Sequence, residues 1–157
     1  MLKILVTPPV TAEHKQLLET AGGPEAEFIY KNADEVDAAL MQEVDILFGN
    51  VAPALVAEAK KLRLLQLFSA GTDGYIPALP EGCALTNTTG AFGLAISEHM
   101  LGMLLMLQKR LHQYRDNQNK HVWQDMGNVT SIEGATVVVL GLGDIGGEFA
   151  RKVKALG

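Results

Sequence analysis

A chain of 157 residues, 48% of them hydrophobic, is long enough for one ordinary domain, or for one domain and the start of another, with a packed core. A net charge of −5 with no basic stripe argues against nucleic-acid phosphates or a membrane surface as partners and leaves small molecules as the expected ligands. Cys83 is the only cysteine, which excludes an internal disulfide and a cysteine-based metal cluster and fits a reducing cytoplasm, the expected location.

Leu2–Thr7 is a continuously apolar run stopped by Pro8 and Pro9, so it reads as a strand buried on both faces of a parallel sheet; it is too short for a signal peptide. Thr11–Ala21 follows as a helix capped by Thr11, with Leu17 and Leu18 on its inner face and Gly22-Gly23 ending it. Ala26–Tyr30 predicts a second strand, Asp34–Leu40 a helix and Asp45–Phe48 a third strand. Pro53–Lys61 predicts a helix with proline near its start, Leu64–Phe68 a fourth strand and Ala84–Thr86 a weaker fifth. Strands and helices that alternate in this way imply a doubly wound α/β sheet with right-handed crossovers.

The stretch Ser69–Tyr75 leaves the carboxyl end of a strand, where open α/β sheets collect ligands. It reads equally as an anion site offering the Gly71 amide or as a plain surface turn. Phe92 to Asn117 is the longest helical pattern, roughly 39 Å at 1.5 Å per residue. It is apolar nearly all round in its first half, so that half is expected to be buried on several sides, wedged between two domains. Its apolar core, Leu94–Leu107, is broken by Ser97, Glu98 and His99 and falls short of the roughly 20 residues a membrane span needs. His121–Glu133, with Trp123, is a connector.

Thr136–Leu140 then runs straight into Gly141-x-Gly143-x-x-Gly146 and an amphipathic segment: strand, tight turn and helix start in the order of a dinucleotide site. Gly141 permits the turn, Gly143 lets the backbone approach a pyrophosphate, and Gly146 lets the helix sit close against the strand. Phosphate charge would meet the exposed amides and the positive end of that helix. The acidic residue for a ribose hydroxyl is expected about 20 residues further on, past Gly157.

Adjacent Glu98 and His99 invite a general-base reading, but neighbouring helical residues do not face each other, and structural hydrogen bonds in a buried helix are the better account. His14, His112 and His121 lie on segments that look exposed. No two histidines have a zinc-site spacing, so no metal is expected, and Cys83 has no local acid or base beside it.

Three motifs in order, Ser69-Ala70-Gly71-Thr72-Asp73, Asn87–Gly90 with Ile96-Ser97-Glu98-His99-Met100, and Val139–Gly146, resemble the D-isomer-specific 2-hydroxyacid dehydrogenase family. The resemblance implies a flavodoxin-like substrate domain at 1–90 that lacks its C-terminal completion, an interdomain helix and connector at 91–134, and a truncated Rossmann NAD-binding domain beginning at 135–157. It implies NAD, with NADP as the alternative, held by Gly141, Gly143, Asp144, Ile145 and Gly146 and reached by Thr72. It implies that Ala70 and Gly71 bind the carboxylate of a small 2-oxo or 2-hydroxy acid, with Asn50 and Val51 on a second substrate-side loop. Asp144 stands where the family often has arginine; its contact is expected through the backbone, and an acid so near phosphates counts against affinity. Trp123 sits in a region that commonly contributes to dimerisation, so a homodimer is expected.

The family's arginine, histidine and carboxylate lie well downstream of the glycine motif, so no catalytic residue is assigned. Without an acid–base partner the charge developing on the substrate oxygen is not neutralised. The reading is therefore the N-terminal part of an NAD-dependent D-2-hydroxyacid dehydrogenase, from a truncated chain or an incomplete gene product. It is expected to be inactive alone, with Thr136–Gly157 loosely held or docked on another chain and NAD binding weak or absent. The alternative is a non-catalytic flavodoxin-like module that binds a small molecule or a partner.

Overall fold

Apolar runs alternate with helical segments over Met1–Thr89, the first of two units into which the 157 residues of the computed structural model divide; the second is Gly90–Gly157. In the first unit β1 (Leu2–Val6), β2 (Ala26–Tyr30), β3 (Ile46–Phe48), β4 (Leu64–Gln66) and β5 (Ala84–Thr86) form one sheet in the order β2-β1-β3-β4-β5, with every neighbouring pair parallel. This is the doubly wound α/β topology that the alternation predicts. The strand order reverses at β1, and the carboxyl ends of the strands beside such a switch point are where open sheets bind ligands.

The core follows from the register. Leu5, Leu47 and Leu65 stand in one row across β1, β3 and β4, and none has exposed surface. Fully buried Met41, Val44 and Val56 close over them, each worth about 1.5–3 kcal/mol of burial. The adjacent row, Ile4, Ile46 and Leu64, is only half-buried. The expectation that Leu2–Thr7 is buried on both faces holds only at its carboxyl end, where Leu5 and Val6 are buried on opposite faces; α1 (Ala12–Gly22) has no buried residue, and Leu17, expected on its inner face, is 62% exposed.

Capping residues decide where the helices begin. The Thr11 hydroxyl accepts from the His14 amide at 3.2 Å while His14 Nδ1 accepts from the Thr11 amide at 3.3 Å, so both orphan donors are satisfied. The helix expected over Asp34–Leu40 is instead a 3₁₀ turn, Ala33–Glu35, followed by α2 (Ala38–Met41), because the Asp37 carboxylate accepts from the Leu40 amide at 2.8 Å and starts a new helix. Proline opens α3 (Pro53–Ala57), which stops short of the expected Lys61.

In the second unit the single helix expected over Phe92–Asn117 is two, α4 (Gly93–Gln108) and α5 (Leu111–Asn119). They part at Arg110, which adopts a left-handed conformation with φ 54°. The connector holds the break: the Arg110 guanidinium donates to the Met126 carbonyl, and Lys109 Nζ donates to the Thr130 carbonyl at 2.8 Å. α5 ends in a Schellman motif, with the His121 amide bonded to the Gln118 carbonyl at 3.0 Å and the Val122 amide to Asn117 at 2.9 Å, which requires φ 54° at His121. The turn leaves a cleft of about 700 Å³ lined by Tyr114, Asn117 and Trp123, among others, and Trp123 itself is fully exposed.

α4 packs against α6 (Asp144–Ala155), with Gly93 buried and Ser97 fully so, and Lys152 Nζ of α6 donates to the Ser97 hydroxyl at 3.0 Å. Elsewhere α4 is open, with Leu94 62% and Leu107 57% exposed, so the burial on several sides expected of it is not found. Its apolar surface exceeds what α6 alone can cover. Thr136–Leu140, expected as a strand, forms no ladder: a strand exists through its partners, the second unit offers none, and Val138 is 88% exposed. No helix is long and apolar enough to cross a membrane.

Candidate functional site

The glycine motif folds as a bend from which a helix starts. Gly141 takes φ +90°, Gly143 is extended and precedes the first residue of α6, and the Gly147 amide closes the first helical bond on the Gly143 carbonyl at 2.8 Å. A methyl group on Gly146 would run into the Gly141 carbonyl oxygen and lie 3.3 Å from Val139, so only glycine lets the helix sit this close to the incoming chain. A methyl on Gly143, by contrast, would meet nothing within 4 Å. No side chain caps α6, so its first-turn amides are left for a ligand, at the positive end of a helix twelve residues long. An open backbone, donors without side-chain partners and a favourable dipole fit the pyrophosphate of a dinucleotide. Ile145 is half-buried and Phe149 is buried beneath it, which leaves the backbone rather than these side chains to meet an anion.

In the first unit the loops after β3, β4 and β5 are laced together by their own polar side chains. Asn50 Oδ1 accepts from the Phe68 amide at 2.8 Å and its Nδ2 donates to the Ser69 hydroxyl at 2.9 Å. The Ser69 hydroxyl in turn donates to the Gly71 carbonyl at 3.2 Å, and Asn87 Nδ2 donates to the Ala70 carbonyl at 2.8 Å. Across a planar trans peptide the N–H points opposite to the C=O. Fixing the carbonyls of Ala70 and Gly71 therefore orients the amides of Gly71 and Thr72 the other way, on an exposed loop where nothing stands within 4 Å of the Gly71 face. Neither amide has a hydrogen-bond partner within the protein, so both are open to a ligand.

The same geometry redistributes the expected roles. Ala70 contributes its carbonyl to the brace, while Asn50 has both ends of its amide engaged and acts as a strut. Val51 is only 4% exposed, with its carbonyl accepting from the Tyr75 hydroxyl at 2.9 Å, so it faces the core rather than a ligand. Thr72 is half-buried, its carbonyl holding the amides of Tyr75 and Ile76 at 2.9 and 3.2 Å. Ser69 and Asn87 are the residues that reading for anion donors alone misses; a hydroxyl and an amide beside the glycine loop are the signal that could have found them.

Glu98 and His99, expected in a buried helix with structural hydrogen bonds, are both exposed and bonded to no side chain, because they lie on the open side of α4. His112, expected on an exposed segment, is half-buried, with its Nδ1 buried and unpartnered. Cys83 is half-buried, and burial pushes its thiol above the ordinary value of 9.0. No three His, Cys, Asp or Glu residues gather as metal ligands.

Residues 101–157 match the family model for the D-isomer specific 2-hydroxyacid dehydrogenase NAD binding domain. A crystal structure of a D-isomer specific 2-hydroxyacid dehydrogenase family protein from Aeromonas salmonicida superposes with a TM-score of 0.81 at 31% identity, over 99% of this chain and 51% of that one. The chain is thus similar to proteins of the D-isomer specific 2-hydroxyacid dehydrogenase family. D-3-phosphoglycerate dehydrogenase of Methanocaldococcus jannaschii is 27% identical over 100% of the chain and 31% of its own length. D-lactate dehydrogenase of Aquifex aeolicus, solved with NAD and lactic acid, shares the fold with a TM-score of 0.79 at 19% identity, over 99% of this chain and 49% of that one. The chain thus spans about a third of that curated relative and about half of these solved 2-hydroxyacid dehydrogenase folds. The NAD binding domain match begins at residue 101, inside α4 and well before the glycine turn.

Proposed function

We propose that these residues carry the acid-binding loop and the pyrophosphate turn of an NAD-dependent D-2-hydroxyacid dehydrogenase, with NADP as the alternative cofactor, working between a 2-oxo acid and a D-2-hydroxy acid. The observation that carries the reading is the bend at Gly141–Gly146, with its open face at Gly143 and uncapped α6 amides. Bound there, the nicotinamide cofactor supplies or takes the hydride exchanged with C2 of the acid. The amides of Asp144, Ile145 and Gly146 hold the pyrophosphate. In the first unit the amides of Gly71 and Thr72 hold the substrate carboxylate, braced by Asn50, Ser69 and Asn87. Thr72 is also assigned to the cofactor, on family resemblance.

Exposed and unpartnered, Glu98 and His99 form no acid–base pair, so residues 1–157 alone bind ligands without turning them over. A homodimer built through the exposed Trp123 cleft, in the cytoplasm, completes the proposal. The test is an amide-resolved NMR titration of the chain with NADH, then with pyruvate as a 2-oxo acid. We expect shifts at Gly141–Gly146 with weak affinity, roughly millimolar, then shifts at Gly71 and Thr72, and no loss of NADH absorbance when both are present. Amides 141–146 that stay unmoved at high NADH overturn the cofactor assignment, and NADH consumption overturns the claim of no turnover.

A further inference from the structure

The sheet of the first unit is parallel, so the loops after β1, β3, β4 and β5 all leave the edge at which the Gly71 and Thr72 amides lie. A carboxylate held by those amides leaves the rest of the acid to that rim. The rim is built without cations: residues 49–52 after β3, 67–79 after β4 and 87–89 after β5 contain no lysine, arginine or histidine. Their one charged residue is Asp73, exposed at the second position of a turn that the Tyr75 amide closes on the Thr72 carbonyl at 2.9 Å. Gly49 leaves no room for a side chain of any kind. It takes φ +125°, and a Cβ there would run into Thr7 Oγ1 and lie 2.7 Å from Pro8 Cδ, atoms of a short side chain and a fixed ring. The cations further along, beside β1 and β2, are engaged where they stand. His14 Nδ1 accepts from the Thr11 amide, Lys15 Nζ lies 4.5 Å over the Tyr30 ring of edge strand β2, and Lys31 Nζ donates to the Glu35 carbonyl at 3.4 Å.

We propose that this loop selects the charge of the acid it holds: it takes monocarboxylic 2-oxo or 2-hydroxy acids with uncharged side chains and disfavours those with a second carboxylate or a phosphate, Asp73 being the specificity-determining charge. This selectivity rests on Gly71 and Thr72 holding the first carboxylate, as proposed for them. One carboxylate is matched by two free amides. A second anionic group finds no partner on the rim and meets repulsion from Asp73, so the wrong ligand is rejected by an unfavourable contact as well as by a missing one. Apolar surface is what the rim offers instead, since Phe68 at the root of the loop and Ile76 beyond it are 51% and 60% exposed. Phe68 is fixed in place, its amide donating to Asn50 Oδ1 at 2.8 Å and its carbonyl accepting from the Thr88 hydroxyl at 3.2 Å. A cation substituted there stays at the rim.

The experiment compares two acids of equal length, 2-oxopentanoate and 2-oxoglutarate, which differ only in a methyl or a carboxylate at C5. Both are titrated at neutral pH and low salt into the chain, into Asp73→Asn and into Phe68→Arg, with the Gly71 and Thr72 amides followed by NMR. A spectrum unchanged elsewhere in Met1–Thr89 shows that each variant is folded. The wild-type chain is expected to hold 2-oxopentanoate about fivefold more tightly, Asp73→Asn to reduce that preference to roughly twofold, and Phe68→Arg to reverse it. Equal or tighter binding of 2-oxoglutarate by the wild-type chain, with both acids moving the two amides, overturns the selectivity and leaves the carboxylate loop standing. A preference that Asp73→Asn leaves unchanged overturns the role of Asp73. One that Phe68→Arg leaves unchanged puts the far end of the acid away from this rim and overturns the selection as well. Amides that neither acid moves sink the carboxylate loop itself, and the selectivity with it.

Discussion

Two glycines three residues apart make opposite demands. At Gly146 a methyl group has nowhere to go but into the Gly141 carbonyl, and overpacking of this kind costs about 1–3 kcal/mol. Gly146→Ala should lower the urea midpoint accordingly. At Gly143 the same change meets open space, so stability should stay within about 0.5 kcal/mol while NADH shifts at Asp144–Gly146 disappear. Equal urea midpoints for the two variants would mean that the bend is not packed as described. Titration acts at the same scale in the first unit, where the Lys3 ammonium hydrogen-bonds the Glu43 carboxylate. That bond, and the charge behind it, hold Glu43 below its ordinary value of 4.5 and Lys3 above its ordinary 10.5. Stability from Glu43 is complete above 4.5 and is lost as pH falls through its lower folded value. That from Lys3 is complete below 10.5 and is lost as pH rises through its higher one. Glu43→Gln should therefore flatten both the acid and the alkaline limbs of a Tm profile and leave the slope between them unchanged.

The helices and strands show what could be read from residue order and what could not. The strand centres were legible, because apolar runs such as Leu2–Val6 and Leu64–Gln66 lie between turn residues and have nowhere else to bury. So was the bend at Gly141, where both flanks and the glycine spacing agree. The division of α4 from α5 was not, since Arg110 is no helix breaker by composition and its left-handed turn is held by Met126 and Thr130, well along the chain. Nor was the approach of the Asp144 carboxylate to Gly93, fifty-one positions earlier. Half-covered sheet faces escape periodicity altogether, because a run of apolar residues looks the same whether or not a helix arrives to cover it. The Schellman turn provides the check at this scale. His121 adopts φ 54°, which a β-carbon disfavours by roughly 1–2 kcal/mol. His121→Gly should raise the melting temperature while helix content by circular dichroism holds; a drop would mean that the imidazole contributes more than the strain costs.

Taken whole, the chain has one unit with a closed core and one with open apolar surface. Met1–Thr89 closes a core over one sheet face and braces the Ser69–Thr72 loop at the strand ends, whereas Gly90–Gly157 presents two packed helices and a glycine bend with apolar residues left in the open. Relatives two to three times as long match the chain across both units. Thr136–Leu140 has a further effect on how the protein keeps. Four β-prone aliphatic side chains in a row, uncharged and with their ladder groups unpaired, form a sticky tape that can template a neighbour's identical tape. Concentrated solutions should thicken with thioflavin-positive fibrils on standing. Val138→Lys, a gatekeeper cation on a side chain that packs against almost nothing, should keep them clear without moving the melting temperature.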